Sequence, residues 1–151
     1  MTGRDSWMRI MEVAKQRRDT GARGLARMVA RAGEAQGKLN LLLEYRADYH
    51  ERYENALRQG IGGEWFRNYK TFLANLDQAV ALQSDAVTAL LHDIALAKKR
   101  VDSDQRRTES YQIIDDQRVN ETLAHERRRE QRVQDEMATP TNLHLSEITK
   151  R

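Results

Sequence analysis

Three glycines within four residues, Gly60-Ile61-Gly62-Gly63, separate two long stretches of helical periodicity. Glycine loses more backbone freedom than alanine on entering a helix and takes positive φ at no steric cost, so a cluster of this kind ends a helix. Nothing else between Leu39 and Val101 interrupts the helical pattern. Aromatic residues crowd both sides, with Tyr45, Tyr49 and Tyr53 before the glycines and Trp65, Phe66, Tyr69 and Phe72 after them. The pattern predicts a turn over 59–64 at the tip of a long two-helix antiparallel coiled-coil hairpin, an all-α fold.

Helix one is expected from about residue 5 to 58. Its heptads place Met11, Leu25, Ala32, Leu39 and Tyr53 at one seam position, and Ala14, Met28, Ala35, Leu42, Tyr49 and Ala56 at the other. Arg18, Gly21 and Arg46 break that seam. Helix two is expected from about 65 to 137. Its seam is Leu73, Val80, Val87, Ile94 and Val101 alternating with Tyr69, Leu76, Gln83, Leu90 and Ala97, in which only Gln83 breaks the apolar run. The small Ala32 and Ala35 are expected to face bulkier partners. Beyond Val101 the same frame lands on Asp104, Thr108, Tyr111 and Asp115.

With the turn centred between Ile61 and Gly62, residue i lies opposite about 123 − i. Both seams then lose their apolar character at the same distance from the tip. The zipped part is expected to pair 25–59 with 64–98 over about 50 Å, at a rise of 1.5 Å per residue. The segments 1–23 and 102–137 are expected to be polar helical arms, loosely paired or open to a partner. A single hairpin domain over 1–138 is expected, with a flexible tail over 139–151 after the Thr139-Pro140 step.

Charged residues make up 32% of the chain and hydrophobic ones 39%, with a mean hydropathy of −0.84. The polar residues are mostly good helix formers, so the balance fits a two-helix seam better than a layered core. The single proline agrees with this. With no cysteine, disulfides, thiolate metal ligands and a cysteine nucleophile are excluded. No run is expected to reach the length of a membrane span, and the charged N-terminus lacks the apolar core of a secretory signal, so the chain is expected in the cytoplasm. The net charge of +3 is uneven, with its basic excess at the start of helix one.

Candidate chemistry is sparse. His50-Glu51 and His125-Glu126 open like a zinc-binding HExxH helix, but Glu54 and Arg129 stand where the second histidine belongs. The glycine turn follows a helix and lacks the Lys-Ser/Thr of a phosphate loop. No nucleophile, base and orienting group recur together. No enzyme, metal, cofactor or small-molecule substrate is therefore expected. Arg23, Arg27 and Arg31 repeat every fourth residue as one basic stripe, and Arg127-Arg128-Arg129 with Arg132 form a second patch. Acidic residues interleave in the latter, which weighs against nucleic acid. Trp7, Met8 and Met11 with neighbouring arginines are a weak candidate for a membrane surface. Tyr45 and Phe72 fall outside the seam, which points to a widened seam that locks the tip, to an apolar–aromatic patch for a protein partner, or to both.

The residues flanking the turn resemble the FliJ family of flagellar export proteins. The resemblance rests on Leu42-x-x-Tyr45-x-x-x-Tyr49 before the turn and Asn68-Tyr69-x-x-Phe72-x-x-x-Leu76 after it, and is good over 39–80. It implies a non-enzymatic coiled coil shaped like the central stalk of rotary ATPases, at the cytoplasmic face of the inner membrane at the flagellar base. The implied partners are the hexameric export ATPase, the cytoplasmic domain of the export gate, and export chaperones that are recycled. By position, Leu42, Tyr45 and Tyr49 match the family's chaperone-binding patch on helix one. Phe72, Leu76 and Ala79 match the chaperone- and gate-binding patch on helix two. The end of the hairpin carrying both termini is implied to enter the ATPase ring, with Arg23, Arg27 and Arg31 as candidate ATPase contacts. Lys38, Gln83 and the Gly62-Gly63 pair depart from the family pattern. The stalk of a virulence type III system and a nucleic-acid-associated coiled coil are the alternatives.

Overall fold

The computed structural model describes residues 2–148, with side chains described to residue 138. Among the described residues there are two helices and no strand: α1, Gly3–Arg58, and α2, Glu64–Ile148. The fold is the all-α antiparallel hairpin expected from the sequence.

The turn is built by its glycines. Gly60 takes φ 75° and Gly63 φ 91°. At the end of α1 the Ile61 N–H donates to the Ala56 carbonyl at 3.2 Å and the Gly60 N–H to the Leu57 carbonyl at 3.2 Å. This pair of bonds, with a left-handed glycine between helix and loop, is a Schellman cap, and it satisfies carbonyls the helix end would otherwise leave open. The Gly63 carbonyl then accepts from Phe66 N–H at 3.1 Å and starts α2, while Glu64 puts an acidic group against the positive end of the helix dipole. At the other end of α1, Thr2 Oγ1 accepts from the Asp5 N–H at 3.3 Å, and Asp5 Oδ2 accepts from the Thr2 N–H at 3.4 Å. This is a reciprocal capping box.

Contacts group the chain into two compact units, Glu12–Gln105 and Met1–Met11 with the chain from Arg106 onward. In Glu12–Gln105 every seam position expected from the heptads is buried or half-buried. Ala14, Ala32 and Ala56 of α1 are buried, as are Leu73, Leu76, Val80, Val87 and Ile94 of α2. Among the buried seam residues of this unit, those of α1 are alanines and those of α2 are bulkier aliphatics, on the heptad spacing of a coiled coil. The seam's irregular positions have partners. Gln83 Nε2 donates to the Ala35 carbonyl at 2.9 Å, so the polar seam residue finds an acceptor on the opposite helix. Arg46 Nη1 lies 3.9 Å from Asp77 Oδ1. Gly21 sits where an added Cβ would be 3.5 Å from Val101 Cγ2, within a residue of the expected register.

Gly33 and Gly37 have open space where a Cβ would project. Helical glycine is less favourable than alanine by ~1 kcal/mol. Gly33→Ala and Gly37→Ala are therefore each expected to stabilise the protein by ~0.5–1 kcal/mol, read as a rise in thermal midpoint. Gly60→Ala, at a left-handed position, is expected to lower it.

The unit containing the start of α1 corrects the expectation of loosely paired polar arms. Met11 and Thr108 are buried. Trp7 meets Tyr111 edge-on, with ring centroids 5.5 Å apart. Its indole N–H donates to Asp115 Oδ1 at 3.1 Å, and the Arg118 guanidinium lies 4.7 Å from the ring centroid. Arg17 Nε also reaches to 3.7 Å from Asp104 Oδ1 within Glu12–Gln105. The apolar frame fails beyond Val101, but aromatic and charge-assisted contacts replace it. Of the set Trp7, Met8 and Met11, Trp7 and Met11 are thereby taken up in packing, and Met8 alone lies exposed.

Two further differences concern α2. The helix continues to Ile148, whereas the sequence ends it near Met137. Proline's fixed φ is close to the helical value, so Pro140 removes one hydrogen-bond donor without forbidding the conformation. The backbone expected to form a tail from 139 is thus helical to Ile148, while the side chains of 139–148 and residues 149–151 lie outside the described residues. α2 also contains an 18-residue window of mean hydropathy 1.2 with at most two charges, long and apolar enough to cross a membrane, contrary to expectation. A helix that supplies an apolar seam to a neighbour reaches the same average, and Val80, Val87 and Ile94 are buried members of that seam.

Candidate partner-binding surface

The six residues expected to bind chaperones and gate divide by burial. Leu76 is a buried seam residue. Leu42, Tyr49 and Ala79 are half-buried. Tyr45 and Phe72 are 48% and 43% exposed, which makes them the members able to meet a partner without opening the hairpin. The Phe72 ring packs edge-on against Tyr49 at 4.8 Å, and Tyr45 lies one helical turn from Tyr49 along α1. The patch is therefore an exposed aromatic rim on a half-buried base. Asp77 borders it, 3.9 Å from Arg46 Nη1 and 4.0 Å from His50 Nε2, so a polar edge joins the two helices beside the aromatics.

The base is held by an aromatic cluster running to the turn. Tyr49 and Tyr69 lie 6.0 Å apart, Tyr53 stacks on Tyr69 at 5.8 Å, and Trp65 stacks on Tyr69 at 4.9 Å. The Tyr69 hydroxyl donates to the Tyr49 carbonyl at 2.6 Å, tying α2 to α1. Burial pushes the Tyr69 phenol above its ordinary value of 10.0, with Arg52 pulling the other way. The folded state therefore holds this proton more tightly than the unfolded chain. Its contribution to stability is complete below pH 10 and is lost as pH rises through the raised value. Tyr69→Phe is expected to be less stable than wild type at neutral pH and to approach it above pH 10. Denaturant titrations on both sides of that point check this.

Arg23, Arg27 and Arg31 are all exposed on one face of α1. The spacing of four residues per step makes them a continuous positive stripe. Among the described residues no three His, Asp or Glu side chains gather as metal ligands do. The aromatic rim and the basic stripe were both legible in the sequence. The contacts of Trp7 were not, because a lone tryptophan in a polar helix carries no periodic signal.

The fold defines the class as a two-helix antiparallel coiled coil, here with an exposed aromatic rim. The model of the family described as Flagellar FliJ protein matches residues 8–142, and the chain belongs to that family. The flagellar FliJ protein of Salmonella typhi is 25% identical over 129 residues, covering 85% of this chain and 88% of the relative. That of Escherichia coli (strain K12) is 21% identical over 129 residues, with the same coverage. No solved structure matches. The chain is thus a component of the flagellar export apparatus, in a family that is non-catalytic.

Proposed function

We propose that this protein serves flagellar type III export as a stalk-like coiled coil. It binds and stimulates the hexameric export ATPase through the stripe Arg23, Arg27 and Arg31. It offers the Tyr45–Phe72 rim to the cytoplasmic domain of the export gate and to export chaperones, working at the cytoplasmic face of the inner membrane. The observation that carries the reading is the exposure of Tyr45 and Phe72 beside a closed seam. Apolar rings kept out of a coiled-coil core are the anchors that partner surfaces use. The basic stripe supports the ATPase part, since exposed charges of one sign steer association with acidic surfaces.

The test is titration of the gate's cytoplasmic domain, and separately of export chaperones free of cargo, against immobilised full-length protein. Saturable binding is expected for each. Absence of binding to both, with the partners shown to be folded, would refute the assignment of the rim.

A further inference from the structure

Beside the seam of Glu12–Gln105, each helix carries a second row at heptad spacing. On α1 the row is Arg27, Arg31, Glu34, Lys38, Leu41 and Tyr45, and on α2 it is Phe72, Asn75, Ala79, Leu82, Ala86 and Ala89, both stepping by alternating fours and threes. Ala79 is half-buried and all the others are exposed. Phe72 meets Tyr49, one turn from Tyr45, so the two rows flank the hairpin on the side of the rim. The register brings Lys38 level with the turn of α2 between Leu82 and Ala86, just as Arg46 is level with Asp77 and Gly21 with Val101.

The two walls differ in chemistry. The α2 row holds no charged residue from Phe72 to Ala89. Leu82 stands 64% exposed between the alanines, which keep the backbone of α2 close to the surface. The α1 row is basic, with Arg27, Arg31 and Lys38 against the single Glu34. Among the described residues, none of these three cations enters an ion pair. A low apolar floor between two helices admits the side-chain ridge of a third, and cations along one wall select its charge.

We propose that this face seats an acidic amphipathic helix of a partner protein. Its apolar stripe lies on Ala79, Leu82, Ala86 and Ala89, and its acidic flank meets Lys38, Arg31 and Arg27. From Phe72 to Ala89 the face offers about 26 Å, roughly five helical turns. The inference rests on the reading of the Tyr45–Phe72 rim as a partner surface, extends that surface along the hairpin, and names the element that contacts it. Arg27 and Arg31 are shared with the stripe proposed for the ATPase. Lys38, Leu82, Ala86 and Ala89 belong to neither surface and carry the test.

The probe is a synthetic helical peptide of three heptads with Leu at its seam positions and Glu beside them, compared with a twin carrying Lys for each Glu. Titrated against the full-length protein at low salt, the Glu peptide is expected to bind at least tenfold more tightly than the Lys peptide. Lys38→Glu should weaken it at least threefold and Leu82→Glu at least tenfold, at unchanged helicity because both side chains are exposed. The chain has no cysteine, so single introduced thiols report the face without background. The bound Glu peptide should shield Leu82→Cys, Ala86→Cys and Ala89→Cys from alkylation, and leave Gln78→Cys and Asp85→Cys, which lie off the row, reactive. Equal affinity for both peptides, binding of neither, or equal shielding on and off the row would each overturn the proposal. Shielding that grows with protein concentration in the absence of peptide would overturn it too, by putting a second copy on the face. A Glu peptide seated as predicted, with no binding of the gate domain or chaperones, supports the face and refutes only their assignment to it.

Discussion

Leu73→Ala is expected to destabilise the hairpin by ~2–3 kcal/mol, whereas Phe72→Ala, its immediate neighbour, should cost no more than ~1 kcal/mol and act on binding instead. Leu73 is 6% exposed in the seam between α1 and α2. Removing its branched end loses apolar burial and leaves space that two packed helices cannot close. Phe72 is 43% exposed, and its contact with Tyr49 is a single edge-on pair. Its truncation loses that pair and little else in the hairpin. Thermal or urea unfolding followed by helicity separates the two effects. Binding to the gate domain or a chaperone should fall at least tenfold for Tyr45→Ala with Phe72→Ala, while Leu73→Ala should keep near-normal affinity below its own melting transition. A cooperative loss of structure in Phe72→Ala would instead make Phe72 a seam residue. By the same reasoning Leu76→Ala, at 9% exposure, should behave like Leu73→Ala and is unsuitable for testing the rim.

The second large effect concerns the basic stripe. Reversing Arg23, Arg27 and Arg31 to glutamate is expected to weaken association with the export ATPase by tenfold or more at low ionic strength. The helix should be unaffected, because all three side chains are exposed and none sits in the seam. The loss should shrink as salt is added, since screening over ~10 Å at 0.1 M salt removes the steering that the wild type enjoys. Equal affinities for variant and wild type at low salt would remove the stripe from the interface.

How much of this could be read before the structure follows from which contacts leave a periodic trace. The seam from Leu25 to Val101 repeats at heptad spacing, so its members, its register and the Gly60–Gly63 turn were all legible. The Schellman cap at Gly60 is the physical form of that turn. Gln83 stood out as a polar residue in the seam, but its acceptor, the Ala35 carbonyl, depends on tertiary register that no local pattern encodes. Trp7, Tyr111 and Asp115 hold their unit together through an indole hydrogen bond and an edge-on ring contact. Such contacts have no hydropathy signature, which is why the polar segments read as loosely paired or open to a partner. For the candidate site, the sequence placed Tyr45 and Phe72 outside the heptad. The burial of Leu76 was readable from its seam position, yet the family pattern groups it with the rim.

As proposed, this coiled coil activates the export ATPase. The most direct measurement is the ATP hydrolysis rate of the cognate flagellar export ATPase, with and without this protein at about one copy per hexamer. A higher rate is expected, accompanied by more ring-sized species, with both reduced in the stripe-reversed variant. An unchanged rate with an ATPase shown to be competent would contradict it.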